Sequence, residues 1–133
     1  MAERVSELLR QSLRHLADEV PASYRLVVER LGPLVVQLEV DGETFALSGG
    51  SRLDVSDGIP AGAGTRIATS RAAMLDVLDA KLALGEAVES GAVSVRGALD
   101  DIQRAHDTLL AYVHAAVRAP SQPALLAALR TSS

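Results

Sequence analysis

Residues 69–117 have the sequence TSRAAMLDVLDAKLALGEAVESGAVSVRGALDDIQRAHDTLLAYVHAAV, and this stretch decides the fold. Its pattern predicts, in order, a helix capped by the Ser70 hydroxyl, a short apolar helix, a strand ended by Gly97 and a long helix. The strand prediction rests on Val93 and Val95, which alternate with polar residues at the two-residue period of a half-buried strand.

The long helix carries apolar residues at steps of three and four. We expect these residues to form one continuous face toward the core. The face comprises Leu99, Ile102, His106, Leu109, Leu110, Val113 and Val117.

A β-hairpin is the clearest local signal upstream of this stretch. Residues 34–40 and 43–48 alternate in polarity around Asp41-Gly42, a pair typical of the two-residue type I′ turn. A loop of this length fixes the register, so Val40 is expected to oppose Glu43. Four apolar side chains then share the buried face of the sheet: Val36, Leu38, Phe45 and Leu47.

The remaining segments complete a mixed architecture. We expect helices over residues 2–19, from Pro21 and from Pro123, and further strands over 51–57 and 65–69. The predicted fold class is α+β: an about five-stranded, mostly antiparallel sheet covered by helices.

Composition narrows the function classes. The net charge is −4, and the sequence has no cluster of Lys and Arg of the kind that binds nucleic acid or an anionic membrane surface. There is no cysteine, which excludes disulfides and thiolate chemistry. Neither a signal peptide nor a run of 18 apolar residues is found, so we expect a cytoplasmic protein without stable membrane insertion. Arginine supplies twelve of the thirteen basic residues, a bias that favours a GC-rich bacterial source.

The central stretch resembles the sterol carrier protein type-2 domain family. The resemblance covers roughly residues 20–130 and is carried by the strand TRIAT, the capped helix SRAAMLDVLD, the segment EAVESGAVSVRG and the helix ending LLAYVHAAV. Two positions depart from the family pattern, since Ala80 stands where Gly is common and Ala98 where Asp or Asn is common. The resemblance implies a single domain over residues 1–133, with helix 2–19 packed on it, that encloses an apolar tunnel for a lipid-like ligand.

From the resemblance and the apolar stripes together we expect a pocket of roughly 300 Å³ or more. The predicted ligand-binding residues are Val36, Leu38, Phe45, Leu47, Met74, Leu78, Leu82, Val88, His106, Leu109, Val113 and Leu126. His106 has two interpretations: a contact to a ligand's polar head or a general base, or a histidine at the edge of the core bonded to a carbonyl.

No catalytic, metal or cofactor motif emerges. The glycine-rich loop 58–64 lacks Gly-Lys-Ser/Thr and precedes a strand, so it does not predict a phosphate loop. Asp100 and Asp101 are better explained as carboxylates that offset the positive end of a helix. The three histidines lack metal-ligand spacing. We therefore assign no catalytic residue, no metal and no cofactor.

Three functional hypotheses remain. The first is a non-catalytic carrier of a hydrophobic small molecule, which would be a lipid or a sterol-like, polyketide-like or isoprenoid-like compound. The second, suggested by relatives in quinone biosynthesis, is an accessory module that presents a lipophilic intermediate to pathway enzymes, with a protein partner or a homodimer left open. The third is an isomerase or cyclase of bacterial biosynthesis, which a polar group such as His106 inside the tunnel would favour. In the carrier hypothesis, the segment after Pro120 is a candidate gate, because prolines interrupt the last helix.

Overall fold

The computed structural model describes residues 4–58 and 63–131. Within these ranges the chain forms six helices and five strands, which confirms the predicted α+β class. The elements are α1 (Val5–Glu19), α2 (Pro21–Leu31), β1 (Val35–Val40), β2 (Glu43–Ser48), β3 (Asp54–Ser56), β4 (Thr65–Thr69), α3 (Arg71–Leu78), α4 (Leu84–Ser90), β5 (Ser94–Arg96), α5 (Leu99–Arg118) and α6 (Gln122–Thr131). The predicted start of the first helix at residues 2 and 3, and residues 59–62 of the glycine-rich loop, lie outside the described ranges.

The five strands form one open sheet in the order β3-β2-β1-β4-β5. The pairs β1–β2, β2–β3 and β4–β5 are antiparallel, and β1–β4 is parallel. The expectation of a mostly antiparallel sheet is therefore confirmed. Strand β3 is shorter than predicted, because the N–H of Leu53 donates to the Tyr24 hydroxyl (2.9 Å) of α2 instead of extending the ladder.

The hairpin has the predicted turn and register. Asp41 and Gly42 have φ of 50° and 86°, the left-handed conformation that a type I′ turn requires. Val36 opposes Leu47, and Leu38 opposes Phe45. Three of these four side chains are buried and Leu47 is half-buried, so the predicted face is the inner face of the sheet.

The same turn fixes the start of α3. The Asp41 carboxylate accepts a hydrogen bond from the N–H of Arg71 (3.0 Å), and the Ser70 hydroxyl accepts one from the N–H of Ala73 (3.1 Å). Ser70 is therefore the helix cap that the sequence predicts. The hairpin thus positions the helix that carries Met74 toward the sheet.

The predicted buried face of α5 is wrong in part. Leu99 is 82% exposed, and Leu110 and Val117 are also exposed, whereas Leu109 and Val113 are half-buried and pack against the core. The fully buried residues of the helix are small: Ala105, Thr108, Ala111, Ala115 and Ala116. Helix α5 packs most extensively against α2, and small side chains allow two helices to approach closely. The pattern of large apolar residues therefore overlaps the packed face without coinciding with it.

Both departures from the family pattern coincide with unfavourable local features. Ala80 has φ of 61°, a left-handed conformation that costs an L-residue about 1–2 kcal/mol and glycine nothing. Ala98 is the N-cap of α5, and no side-chain hydrogen bond satisfies the first turn there.

Candidate ligand-binding cavity

An apolar cavity of about 120 Å³ lies between the inner face of the sheet and helices α1, α2, α3 and α5. We call it the apolar cavity, since its exposed surface carries no polar atoms. The predicted volume of roughly 300 Å³ or more, the size at which ligand pockets begin, is therefore wrong. The described residues therefore show a cavity, and the predicted tunnel is not seen among them.

Eight of the twelve residues predicted to bind a ligand line the apolar cavity: Val36, Leu38, Phe45, Leu47, Met74, Leu78, Leu109 and Val113. The other four lie elsewhere. Leu82 and Val88 pack against the main core without lining the cavity. Leu126 belongs to a second apolar cluster beneath α6, and His106 is half-buried on α5 outside the lining.

Fourteen further residues line the cavity without having been predicted to do so: Leu9, Leu13, Val27, Leu31, Val40, Leu53, Ile67, Thr69, Val77, Leu84, Val93, Ala105, Thr108 and Tyr112. Helices α1 and α2 contribute the first four. Their apolar stripes identify these residues as core, but a stripe does not tell which part of a core surrounds a void.

Three hydroxyl-bearing residues line the cavity, and each hydroxyl is hydrogen-bonded. Thr69 donates to the carbonyl of Ala92 (2.9 Å), and Thr108 donates to the carbonyl four residues earlier (2.7 Å). The Tyr112 hydroxyl pairs with that of Ser12 (2.7 Å). Burial raises the pKa of Tyr112, and the hydrogen bond between Tyr112 and Ser12 offsets part of that rise. These groups are therefore engaged within the protein, and the space between them is apolar.

Glu43 holds the α1 wall of the cavity in place. Its carboxylate, projecting from β2, accepts hydrogen bonds from the N–H groups of Val5 (2.8 Å) and Ser6 (2.9 Å) at the first turn of α1. Burial raises the pKa of Glu43, but these two bonds, the Ser6 hydroxyl and the charge of Arg4 together outweigh burial, so the pKa lies below its ordinary value. The carboxylate thus ties the sheet to the helix that supplies Leu9 and Leu13.

Among the residues that the structure describes, the cavity lining has no carboxylate, imidazole or amine. Apart from Thr69, Thr108, Tyr112 and the thioether of Met74, its side chains are hydrocarbon, and the three hydroxyls are hydrogen-bonded within the protein. In the described ranges, no group of three His, Asp or Glu side chains is arranged to hold a metal ion. Likewise, none of the helices described there has the length and apolarity needed to cross a membrane. What this arrangement can do is exclude water from an apolar molecule.

Comparison with known proteins relates the chain to one fold family. No protein-family model and no curated protein sequence matches the chain. Among solved structures, a UbiJ-SCP2 ubiquinone synthesis protein superposes with a TM-score of 0.60 at 22% identity, over 80% of this chain and 95% of that one. A sterol carrier protein 2 gives 0.55 at 14% identity, over 85% and 95% of the two chains. The sterol carrier protein 2 of Yarrowia lipolytica gives 0.50 at 15% identity, over 81% and 88%. The chain therefore has the sterol carrier protein type-2 fold, as its sequence resemblance predicts.

Proposed function

We propose that this protein is a non-catalytic carrier of a hydrophobic small molecule, of lipid, sterol-like, polyketide-like or isoprenoid-like character. The observation that carries the proposal is the apolar cavity, whose surface has no polar atoms and whose three hydroxyls are engaged within the protein. The fold supports it further, because the solved structures that share the fold include proteins described as sterol carriers.

Apolar burial supplies the binding energy in this account. Each methylene removed from water contributes about 0.8 kcal/mol, so a ten-carbon chain gains about 8 kcal/mol before the costs of association. A chain of that size needs more room than 120 Å³. Met74, Leu109 and Val113 are half-buried lining residues on the helices that face the sheet, and we expect ligand entry to widen the cavity by displacing them.

A cavity-filling substitution tests the proposal. The probe is N-phenyl-1-naphthylamine, a neutral dye that fluoresces in apolar surroundings. Val113→Phe places a ring at the cavity lining, and we expect it to weaken dye binding at least tenfold. Val117→Phe is the matched control: it makes the same change one helical turn later, at an exposed position, and should leave dye affinity unchanged. Absence of dye binding by the unmodified protein, or equal effects of both substitutions, would refute the proposal.

The accessory-module hypothesis has one observation in its favour. Leu99, Leu110 and Val117 are exposed at positions 11 and 7 residues apart on α5, which places them along one side of the helix, and apolar residues gathered into a patch mark surfaces that contact other proteins. Copurification of a defined partner, lost in a Leu110→Glu variant, would support this second function. The isomerase or cyclase hypothesis gains no support from the geometry, because His106 does not line the cavity.

A further inference from the structure

A second, smaller pocket adjoins the apolar cavity. It has a volume of about 80 Å³ and lies where α1, the end of α5 and α6 meet. Its lining contains five polar residues beside seven apolar ones. The polar residues are Gln11, Ser12, His15, Ser121 and Gln122, and the apolar residues are Leu8, Leu16, Ala116, Ala119, Ala124, Leu125 and Ala128. We call it the polar pocket.

Two hydrogen bonds join the linings of the two spaces. The Tyr112 hydroxyl, on the side of the apolar cavity, lies 2.7 Å from the Ser12 hydroxyl, on the side of the polar pocket. The Gln122 carboxamide of the polar pocket donates to the carbonyl of Leu78 (2.6 Å), a residue of the apolar cavity. The linings of the two spaces are therefore in direct contact at two points, and the Ser12–Tyr112 pair lies between them.

The polar pocket favours an uncharged group that donates a hydrogen bond. Neither lysine nor arginine is among the described residues that line it, so an anionic head would lose its hydration without gaining an ion pair. The His15 side chain lines the polar pocket and is 53% exposed, with Nδ1 3.6 Å from the Glu19 carboxylate. A neutral imidazole has one ring nitrogen that can accept a hydrogen bond from a ligand hydroxyl.

We infer that the ligand is an amphiphile with one hydrocarbon tail in the apolar cavity and a small, uncharged, hydroxyl-bearing head in the polar pocket, bonded to His15. This inference rests on the proposed carrier function and adds a second subsite to it. The Ser12–Tyr112 hydrogen bond is the contact that the ligand displaces, since it lies between the two spaces.

The test compares two ligands with the same tail. 1-Decanol can donate a hydrogen bond, and 1-methoxydecane cannot; each displaces N-phenyl-1-naphthylamine from the protein at pH 8. We expect decanol to bind about three- to tenfold more tightly than its ether, the range of one hydrogen bond. His15→Ala should bring the two dissociation constants together while leaving dye affinity unchanged, which also shows that the variant is folded. His114→Ala, an exposed histidine on α5 outside both linings, should keep the preference for decanol.

The outcomes separate this inference from the carrier function. Equal affinities of decanol and its ether for the unmodified protein, or a preference that persists in His15→Ala, overturn the head-group subsite and leave the carrier function intact. Tighter binding of decanoate than of decanol overturns the uncharged head. If neither ligand displaces the dye, or the dye itself does not bind, the carrier function fails as well.

Discussion

Replacing Glu43 by glutamine tests how α1 is held against the sheet. Glutamine keeps the shape of the side chain but has one acceptor oxygen in place of two and carries no charge. The carboxylate now accepts two backbone hydrogen bonds, at 2.8 and 2.9 Å, at the positive end of a helix, and its side chain is only 18% exposed. The substitution removes one of the two hydrogen bonds to the carboxylate and the negative charge near the helix N-terminus, and together these losses should lower the free energy of unfolding by about 2 kcal/mol.

The pH dependence of this loss identifies its cause. The pKa of Glu43 is lower in the folded protein than its ordinary value, so the stabilisation is present above the pKa of the unfolded chain. It is lost as the pH falls through the lower pKa of the folded state. The difference between the two proteins should therefore be full at neutral pH and shrink on the acid side of about pH 4.

Urea unfolding followed by circular dichroism at several pH values measures this difference. Glu39→Gln is the control, because Glu39 is an exposed carboxylate on the other face of the hairpin, and its replacement should change stability by less than about 0.5 kcal/mol. The reasoning is refuted if Glu43→Gln costs no more than the control at neutral pH, or if its cost is the same at every pH.

Four further predictions follow from local geometry. Ala80→Gly should raise the free energy of unfolding by about 1 kcal/mol, because it relieves the left-handed backbone; a loss of stability in urea unfolding would contradict this. Ala98→Asn should add about 1 kcal/mol as a cap for α5, and no gain by the same measurement would show that the first turn is already satisfied. Tyr112→Phe should lower the free energy of unfolding by about 1–2 kcal/mol, because it leaves the Ser12 hydroxyl unpaired. Adding Ser12→Ala to this variant should restore part of the loss, and no restoration would contradict this explanation. Deleting residues 120–133 should speed dye release, because α6 covers the Leu78 side of the cavity; an unchanged release rate in stopped-flow fluorescence, from a variant that circular dichroism shows to be folded, would exclude a gate.

Local chemistry explains which parts of the fold were predictable. The Asp41-Gly42 turn requires left-handed residues at both positions, so two adjacent residues fix the turn, the register and the buried face together. The N-cap role of Ser70 was predictable for the same reason, since a helix N-cap needs only one hydroxyl at one position. These features depend on neighbours in sequence, and a single sequence contains that information.

The face of α5 and the extent of the cavity depend on segments far apart in the chain. Ala105, Ala111 and Ala115 are buried because α2 lies close to them, yet alanine contributes little to an apolar stripe. Leu9 and Val27 reach the cavity only because α1 and α2 cross the sheet at that point. The two hydrogen bonds from α1 to Glu43 likewise join residues that are 38 and 37 positions apart in the chain, and no sequence pattern links residues at that separation.

Native mass spectrometry of the purified protein tests the central claim, that the apolar cavity holds a hydrophobic small molecule. The account predicts that 1-decanol, added at a concentration that saturates dye displacement, gives a one-to-one complex with the 13.9 kDa chain. The complex should be depleted in Val113→Phe and retained in Val117→Phe. Detection of the free chain alone under these conditions, or equal complex formation by both variants, would contradict the account.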